Sequence, residues 1–193
     1  MISKKLSEIL EFQNGSKAVC APGAIPVYGG NGILGFSNTS NHKDVIIVGR
    51  VGAYCGSVHC TDGACWVSDN AIAGIHKDAK CNKFNYYLMR SLNLGKQKIG
   101  SSQPLLTQQI LNNIVVKVPE TTKEQIHIAD ILSALDDKIE LNNKVNQELE
   151  KTAKDLYNYW FVQFDFPDVN KRPLLSRIFN FLKPSAKLEV QYA

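Results

Sequence analysis

Long hydrophobic runs are missing from this sequence: no apolar stretch approaches the roughly 18 residues that a helix needs to cross a bilayer. The opening residues 1–5 lead into a polar segment, expected to be helical, rather than into the apolar core of a signal peptide. Cysteine is scarce and odd in number, at 5 residues, which argues against a disulfide-rich secreted scaffold and indicates reduced thiols. We therefore expect a soluble, unexported, cytoplasmic protein.

No catalytic constellation is present. The sequence has no Ser, His and Asp set in a nucleophile elbow, no histidine pair at metal-binding helical spacing, and no Asn-Pro-Pro-Tyr-like or Asp-Pro-Pro-Tyr-like element of an amino-methyltransferase. Asp165 and Asp168 lack the following Glu-x-Lys of a magnesium nuclease site. The sequence therefore predicts a binding protein with no catalytic residues.

Glycine and proline are absent from residues 122–161, whereas all 13 glycines precede Lys117. The segment without helix breakers predicts one helix of about 40 residues, roughly 60 Å long. The glycine-rich part contains short β-branched or aromatic runs between turn residues, which predict strands of one irregular sheet. These runs are residues 25–28, 44–48, 54–60, 64–67, 71–75 and 114–118.

Two shorter helices are expected within the glycine-rich part. Residues 82–92 place apolar side chains on one face, and residues 107–111 follow Thr107, a residue type that caps helix N-termini. The sequence thus predicts the α+β class, with an irregular mixed β-sheet domain that carries small helices and is followed by one long helix. The expected boundaries are 1–119 for the domain, 120–164 for the helix, and 165–193 for a tail to which no structure is assigned.

The formal net charge is only +4, but the charged residues are distributed unevenly along the chain. Residues 1–119 carry 12 Lys and Arg against 6 Asp and Glu, a net charge of +6. Residues 120–164 carry 5 against 9, a net charge of −4, and residues 165–193 carry 5 against 3, a net charge of +2. The basic part indicates a polyanionic partner, and the acidic part indicates contact with water or protein.

Apolar positions of the long helix alternate at spacings of four and three residues, which is typical of a coiled-coil seam. Asn142 and Asn146 are neighbouring seam positions, and they weaken an apolar interface while penalising slipped registers. Leu141 and Val145 lie beside this polar gap. The alternative is a stripe that packs on the chain's own domain, although the length of the helix argues against it. The predicted dimerisation seam comprises Ile128, Leu132, Leu135, Ile139, Asn142, Asn146, Leu149, Ala153, Leu156 and Trp160.

Two glycine-rich stretches have the composition of phosphate-binding loops. Residues 30–35 show the spacing of the dinucleotide-binding fingerprint, but residues 36–41 predict a loop where that fingerprint needs a helix N-terminus. A dinucleotide-binding enzyme is therefore the least favoured alternative, and a lack of cofactor absorbance or fluorescence would dispose of it. Residues 49–56 lack the Gly-Lys-Ser/Thr of a P-loop, and they form either a turn between strands or a backbone that approaches a phosphate beside Arg50.

Cys55, His59, Cys60 and Cys65 form a local cluster of metal-binding residue types. An Asp-Gly pair at residues 62–63 fits the tip of a hairpin that would place Cys60 opposite Cys65. The four-residue separations differ from the two-residue spacing of zinc knuckles, and no second Cys or His pair follows at finger spacing. Buried thiols on strands are the favoured interpretation, and no metal site is predicted.

Three stretches, taken together and in order, resemble the specificity subunit of type I restriction-modification systems. The first resembles the opening of its target recognition domain, and the second its Gly-Arg-x-Gly-x-x-x-Gly and Ser-x-Asn-Ala region. The third is similar to the close of that domain and the start of its long conserved helix. The matching residues are 25–35, then 44–56 with 66–71, and then 100–106 with 114–119 and 124–128, within a resemblance that covers residues 3–168.

The resemblance implies a half subunit. Family members usually carry two recognition domains and two long helices that form an antiparallel coiled coil, whereas this chain has one of each. Two copies paired through the long helix as an antiparallel homodimer would rebuild the usual arrangement. The segment after Pro173 does not resemble the family's continuation, so a natural half-length protein, a truncation and an altered reading frame stay open.

The same resemblance implies a function without chemistry of its own. The subunit would bind double-stranded DNA and direct methyltransferase (M) and endonuclease/translocase (R) subunits to a bipartite site, without membrane association. It would hold no cofactor, because S-adenosylmethionine, ATP and magnesium are expected only on the partner subunits. The alternative is a coiled-coil scaffold or truncated decoy that pairs with specificity chains without reading DNA.

Candidate DNA contacts lie in the basic first part, because phosphate contacts supply affinity and base edges supply specificity. Arg50, Lys96 and Lys98 are the candidates for backbone or guanine contacts. The polar candidates near bases are Tyr28, Asn31, Tyr54, Ser101, Ser102 and Gln103.

The seam predicts a dimer whose stability responds to its two asparagines. Sedimentation equilibrium should give twice 21.5 kDa for the chain. Changing Asn142 and Asn146 together to Leu should raise dimer stability, because an apolar seam is then continuous, and should permit other registers or higher oligomers. A wild-type monomer at micromolar concentration, or a double variant that stays dimeric and loses stability, would show that the seam is misassigned.

Overall fold

The computed structural model describes residues 1–18, 20–96 and 105–162, and these ranges contain ten strands and four α-helices, which confirms the α+β class. The strands are β1 (Ile2–Lys5), β2 (Leu10–Asn14), β3 (Ile25–Gly29), β4 (Gly32–Ser37), β5 (His42–Lys43), β6 (Val45–Gly49), β7 (Val58–Cys60), β8 (Ala64–Val67), β9 (Ala71–His76) and β10 (Val115–Val118). The helices are α1 (Leu6–Ile9), α2 (Asn82–Ser91), α3 (Gln108–Asn113) and α4 (Thr122–Tyr157), with 3-10 turns at Ala79–Cys81 and Leu94–Lys96 and a π-helical turn at Asn158–Val162.

The strands form three sheets rather than the single irregular sheet expected from the sequence. β1 pairs with β10, an antiparallel sheet has the order β2-β9-β6-β7, and a third sheet has the order β4-β3-β8-β5. The third sheet is mixed, because β3 runs parallel to β8 and antiparallel to β4. The expected mixed pairing is therefore present, but it is confined to one sheet.

Two hydrophobic cores lie on opposite faces of β6, because successive side chains of a strand point to opposite sides. Ile46 and Val48 belong to the larger core, which also holds residues of α1, α2 and α3. Val45 and Ile47 belong to the smaller core, which β8 and β9 complete. All four side chains are buried, so β6 stabilises both cores at once.

The N-terminal segment differs from the expected polar helix. It forms β1, the single-turn helix α1 and then β2. β1 pairs with β10, with Ile2 opposite Val118, and β2 pairs with β9. Both strands are stabilised by pairing with strands far along the chain. Local composition does not predict such pairing.

The predicted hairpin at residues 62–63 is also wrong. β7 pairs with β6, whereas β8 pairs with β3 and β5, so the two strands belong to different sheets. Cys60 and Cys65 consequently do not face each other across a hairpin. Gly63 has a φ of +134°, and its carbonyl accepts a hydrogen bond from the Asp44 N–H at 3.1 Å, so this turn is held by the start of β6.

The predicted short helices are confirmed with small changes in their bounds. α2 covers Asn82–Ser91, and α3 covers Gln108–Asn113. The Thr107 hydroxyl accepts a hydrogen bond from the Ile110 N–H at 3.3 Å, which is the predicted cap.

The long helix α4 contains 36 residues, which corresponds to about 54 Å. The chain divides into two compact units, Met1–Asp137 and a second unit that begins at Lys138, so the first part of α4 belongs to the first unit. The domain boundaries inferred from the sequence stay predictions. No helix in the described ranges is both long and apolar enough to cross a membrane.

Within the first unit, α4 contacts the domain through one face and exposes another. Ala129, Ser133 and Asp136 lie toward the domain, where Ala129 is buried and the other two accept hydrogen bonds from α2. Ile128 and Leu135 of the predicted seam are exposed. Leu132, the seam position between them, is half-buried, so the apolar stripe faces solvent only in part along this stretch of the helix.

Candidate nucleic-acid interface

The turn between β3 and β4 touches the end of β6 through two glycines. A Cβ added to Gly30 would lie 3.4 Å from the Gly49 Cα and 3.9 Å from the Tyr54 Cβ. A Cβ added to Gly49 would lie only 2.4 Å from the Tyr54 carbonyl oxygen. The Ser57 hydroxyl donates a hydrogen bond to the Gly30 carbonyl across this contact. Glycine at position 49 therefore permits a backbone approach that any larger residue would block.

Residues 50–57 form a compact loop that connects β6 to β7. The Gly56 N–H donates to the Gly49 carbonyl at 2.8 Å, and Gly52 and Gly56 adopt positive φ values of 74° and 91°. A strand follows the loop, so the stretch lacks the strand-loop-helix arrangement of a P-loop. Tyr54 lies on this loop with 53% of its surface exposed.

The fingerprint-like residues 30–35 occupy the β3–β4 turn and most of β4. Their glycines are thus followed by a strand, whereas pyrophosphate binding uses a helix N-terminus at that position. The geometry removes the structural basis for the dinucleotide-binding alternative.

Arg50 follows Gly49 directly, and two backbone hydrogen bonds fix its position. Its N–H donates to the Asn70 carbonyl at 3.0 Å, and its carbonyl accepts from the Leu106 N–H at 2.8 Å. The side chain is half-buried, and its buried Nε has no hydrogen-bond acceptor among the described residues. This N–H is closed to solvent, so a contact with a phosphate oxygen or a guanine edge would be made by the exposed part of the Arg50 side chain.

A groove of about 420 Å³ runs beside the loop and brings Tyr54 and Lys96 together. Residues 53–58 form one wall, and the other wall comes from Arg90 and residues 93–96. The charged residues that line it, Arg90 and Lys96, are both cationic, but Arg90 also lies 3.8 Å from the Asp136 carboxylate, so an anionic ligand would be attracted mainly by Lys96.

The remaining predicted site residues lie in different surroundings. Asn31 is exposed in the β3–β4 turn. Tyr28 is half-buried against the smaller core, and burial raises the pKa of its phenol, with smaller contributions from Cys65, Cys60 and Asp62. The structure thus brings the turn that carries Asn31 close to the loop of Arg50 and Tyr54, and it places the Tyr28 ring on the core side. The predicted residues Lys98, Ser101, Ser102 and Gln103 lie outside the described residues.

The expectation of buried thiols on strands is met only by Cys65, which is buried on β8. Cys55 is buried but lies in the loop of residues 50–57, and Cys60 lies on β7 but is exposed. Burial raises the pKa of Cys65 and of Cys60, so both thiols favour the protonated form. In the described part of the chain, no group of three or more His, Cys, Asp and Glu residues is arranged to hold a metal ion.

Sequence reasoning missed two features beside the β3–β4 turn. Ile33, Leu34 and Phe36 are each more than half exposed on β4, which was not among the predicted strands and which includes two residues, Phe36 and Ser37, of the predicted loop 36–41. His59 is the second feature, because its buried Nε2 has no partner among the described residues and its ring lies 3.6 Å from a Cβ placed on Gly32. No local signal marks β4 as a strand, since glycines interrupt its apolar run.

Comparison with known proteins assigns the family. The family model described as "Type I restriction modification DNA specificity domain" matches residues 2–151. The type I restriction enzyme EcoprrI specificity subunit of Escherichia coli is 28% identical over 139 residues, covering 69% of this chain and 33% of that protein. The type I restriction enzyme HindI specificity subunit of Haemophilus influenzae is 42% identical over 62 residues, covering 32% of this chain and 13% of that protein.

A solved structure shares the fold. The crystal structure of a type I restriction-modification system S subunit from M. genitalium superposes with a TM-score of 0.70 at 20% identity, covering 85% of this chain and 46% of that chain. Because the family model matches most of its length, the chain belongs to the type I restriction modification DNA specificity domain family, which confirms the resemblance seen in the sequence. The chain spans less than half the length of these relatives.

The glycine contact generates a prediction that needs no ligand. Gly49→Ala should destabilise the protein by about 1–3 kcal/mol, because the added methyl would overlap the Tyr54 carbonyl. Gly30→Ala is the matched control, because its nearest contact would be 3.4 Å. Thermal unfolding and amide hydrogen exchange of residues 50–57 measure the difference. Equal stability of the two variants would contradict the close approach.

Proposed function

We propose that the chain is a DNA-binding specificity subunit of a type I restriction-modification complex and that residues 1–119 read the DNA sequence. The observation that carries the proposal is the contact between the β3–β4 turn and the loop of residues 50–57, where Gly30 meets Gly49. We call this surface the reading edge. It places the half-buried Arg50 on the same loop as the exposed Tyr54 ring and brings that loop close to the turn that carries the exposed Asn31. The family membership identifies the ligand class as DNA.

Charge and side-chain chemistry support the assignment of DNA reading to residues 1–119. The net charge of +6 over residues 1–119 favours phosphate neutralisation, whereas residues 120–164 are net acidic. Arg50 suits a guanine edge or a phosphate, and Lys96 lines a cationic groove that suits the DNA backbone. Asn31 and Tyr54 are polar candidates for base contacts, as are Ser101, Ser102 and Gln103, while Lys98 is a further backbone candidate.

The proposed complex performs its chemistry on other chains. The specificity subunit would direct methyltransferase (M) and endonuclease/translocase (R) subunits to a bipartite site. S-adenosylmethionine, ATP and magnesium would be bound by those subunits. The chain described here would contribute binding and orientation.

Dimerisation through α4 would determine how the half-sites of the DNA site are arranged. The seam residues Ile139 and Leu149 are exposed on the helix and available to a second copy. An antiparallel two-fold dimer presents the same reading surface twice, so its DNA site should contain two identical half-sites in inverted orientation. The length of α4 would set the non-specific spacer between them.

Arg50→Ala tests the reading edge directly. The substitution should weaken binding by about 1–3 kcal/mol if the guanidinium meets a guanine, or should weaken all sequences alike if it meets a phosphate. Titration of a selected duplex and of a scrambled duplex distinguishes the two. Lys43→Ala, which removes a positive charge from a side chain that is 74% exposed, is the control for net charge. Unchanged affinity would remove Arg50 from the site.

Selection of bound duplexes from a randomised pool tests the function as a whole. We expect two identical inverted half-sites around a fixed spacer. Inserting or deleting one base pair in that spacer should lower the affinity, because it rotates one half-site by about 35°. An asymmetric or undivided motif would contradict the homodimer. Recovery of no enriched sequence would contradict DNA reading and favour the scaffold or decoy.

A further inference from the structure

A polar contact joins α2 to the first part of α4. The Tyr87 hydroxyl donates a hydrogen bond to Asp136 Oδ2 at 3.0 Å, and Arg90 Nη1 lies 3.8 Å from the same oxygen. One turn earlier on both helices, Lys83 Nζ donates to Ser133 Oγ at 3.1 Å. The Asp136 carboxylate is thus contacted by both Tyr87 and Arg90 of α2. We call these three residues the clamp.

The clamp is supported from within α2. Arg90 Nη1 donates to the Tyr86 hydroxyl at 3.2 Å, and its guanidinium lies 5.8 Å from the centroid of the Tyr86 ring. Burial, followed by the hydrogen bond to Asp136, raises the pKa of Tyr87 to about 12. The phenol therefore remains a hydrogen-bond donor throughout the neutral range.

Polar and apolar side chains share this face of α4. Ala129 is buried in the larger core, Ile126 and Leu132 are half-buried, and Ser133 and Asp136 accept the hydrogen bonds from α2. Hydrogen bonds fix an orientation more narrowly than contact with a small apolar side chain does. The same part of α4 carries the seam residues Ile128 and Leu135, which are exposed.

We propose that Asp136 is a positioning residue that sets the spacing between the two DNA half-sites. This inference rests on the proposed function and adds a residue that touches no DNA. Its carboxylate fixes the orientation of the first part of α4 on the recognition domain, and with it the direction in which the seam residues Ile128 and Leu135 face a second copy. Spacer preference, rather than affinity for a half-site, is the property that depends on it.

The test uses the full chain, two variants and a control. Asp136→Ala removes the acceptor, Tyr87→Phe removes the donor and keeps the ring, and Asp130→Ala removes an exposed carboxylate from the same helix. The probes are duplexes carrying the selected half-sites with spacers from two base pairs shorter to two longer, and a duplex with one half-site. Amide hydrogen exchange over residues 122–137 reports the contact itself.

Wild type and Asp130→Ala should prefer one spacer by about tenfold or more, which corresponds to roughly 1.4 kcal/mol. Both clamp variants should bind all spacers within about threefold of one another, keep wild-type affinity for the single half-site, and exchange faster over residues 122–137. A wild-type spacer profile or unchanged exchange in the variants would overturn the inference, as would a loss of single half-site affinity. Failure of the proposed function is distinct, because wild type itself would then select no bipartite site.

Discussion

Burial of β6 between two cores is the constraint on which the rest of the structure depends. Its alternating side chains serve one core on each face, and fully burying each Ile or Val contributes roughly 1.5–3 kcal/mol. A strand with no exposed face must be covered on both sides and flanked by other strands, here β9 and β7. The helices therefore collect on one side of the sheet and β8 lies on the other. Gly49 ends the strand, so the position of Arg50 follows from the packing of the two cores.

The candidate interface illustrates how a rigid scaffold positions variable chemistry. The β3–β4 turn belongs to the third sheet, whereas residues 50–57 extend from the sheet of β6. Gly30 and Gly49 allow these segments to touch. The Arg50 backbone, at the start of the second segment, is fixed by hydrogen bonds to the Asn70 carbonyl and from the Leu106 N–H. Exposed side chains at the ends of buried strands can be exchanged without disturbing either core, which is why such loops commonly carry function.

The sequence predicted what local interactions determine. The cap at Thr107 and the absence of glycine and proline from α4 act within a few residues, and both predictions agree with the structure. Pairing between distant segments was not predictable in the same way. The Asp-Gly pair at residues 62–63 has hairpin chemistry, but β7 and β8 pair instead with β6 and with β3 and β5. Within the candidate site, the approach of Gly30 to Gly49 is likewise a contact between distant segments, and no local pattern predicts it.

The exposed strand β4 has a consequence for the solution behaviour of the isolated chain. β4 pairs with β3 on one side, and on the other, within the described ranges, the Phe36 carbonyl accepts a hydrogen bond from the Ala21 N–H. Its sequence contains neither charge nor proline, the usual devices that keep an edge strand from pairing with another molecule. Residues 20–23 lie against the second half of β4, because a Cβ added to Gly35 would be 3.2 Å from Cys20 Sγ and one added to Gly23 would be 2.1 Å from the Ser37 carbonyl oxygen. The first half, with Ile33 and Leu34 exposed, is the part that could pair with another molecule, and such association would not involve the α4 seam.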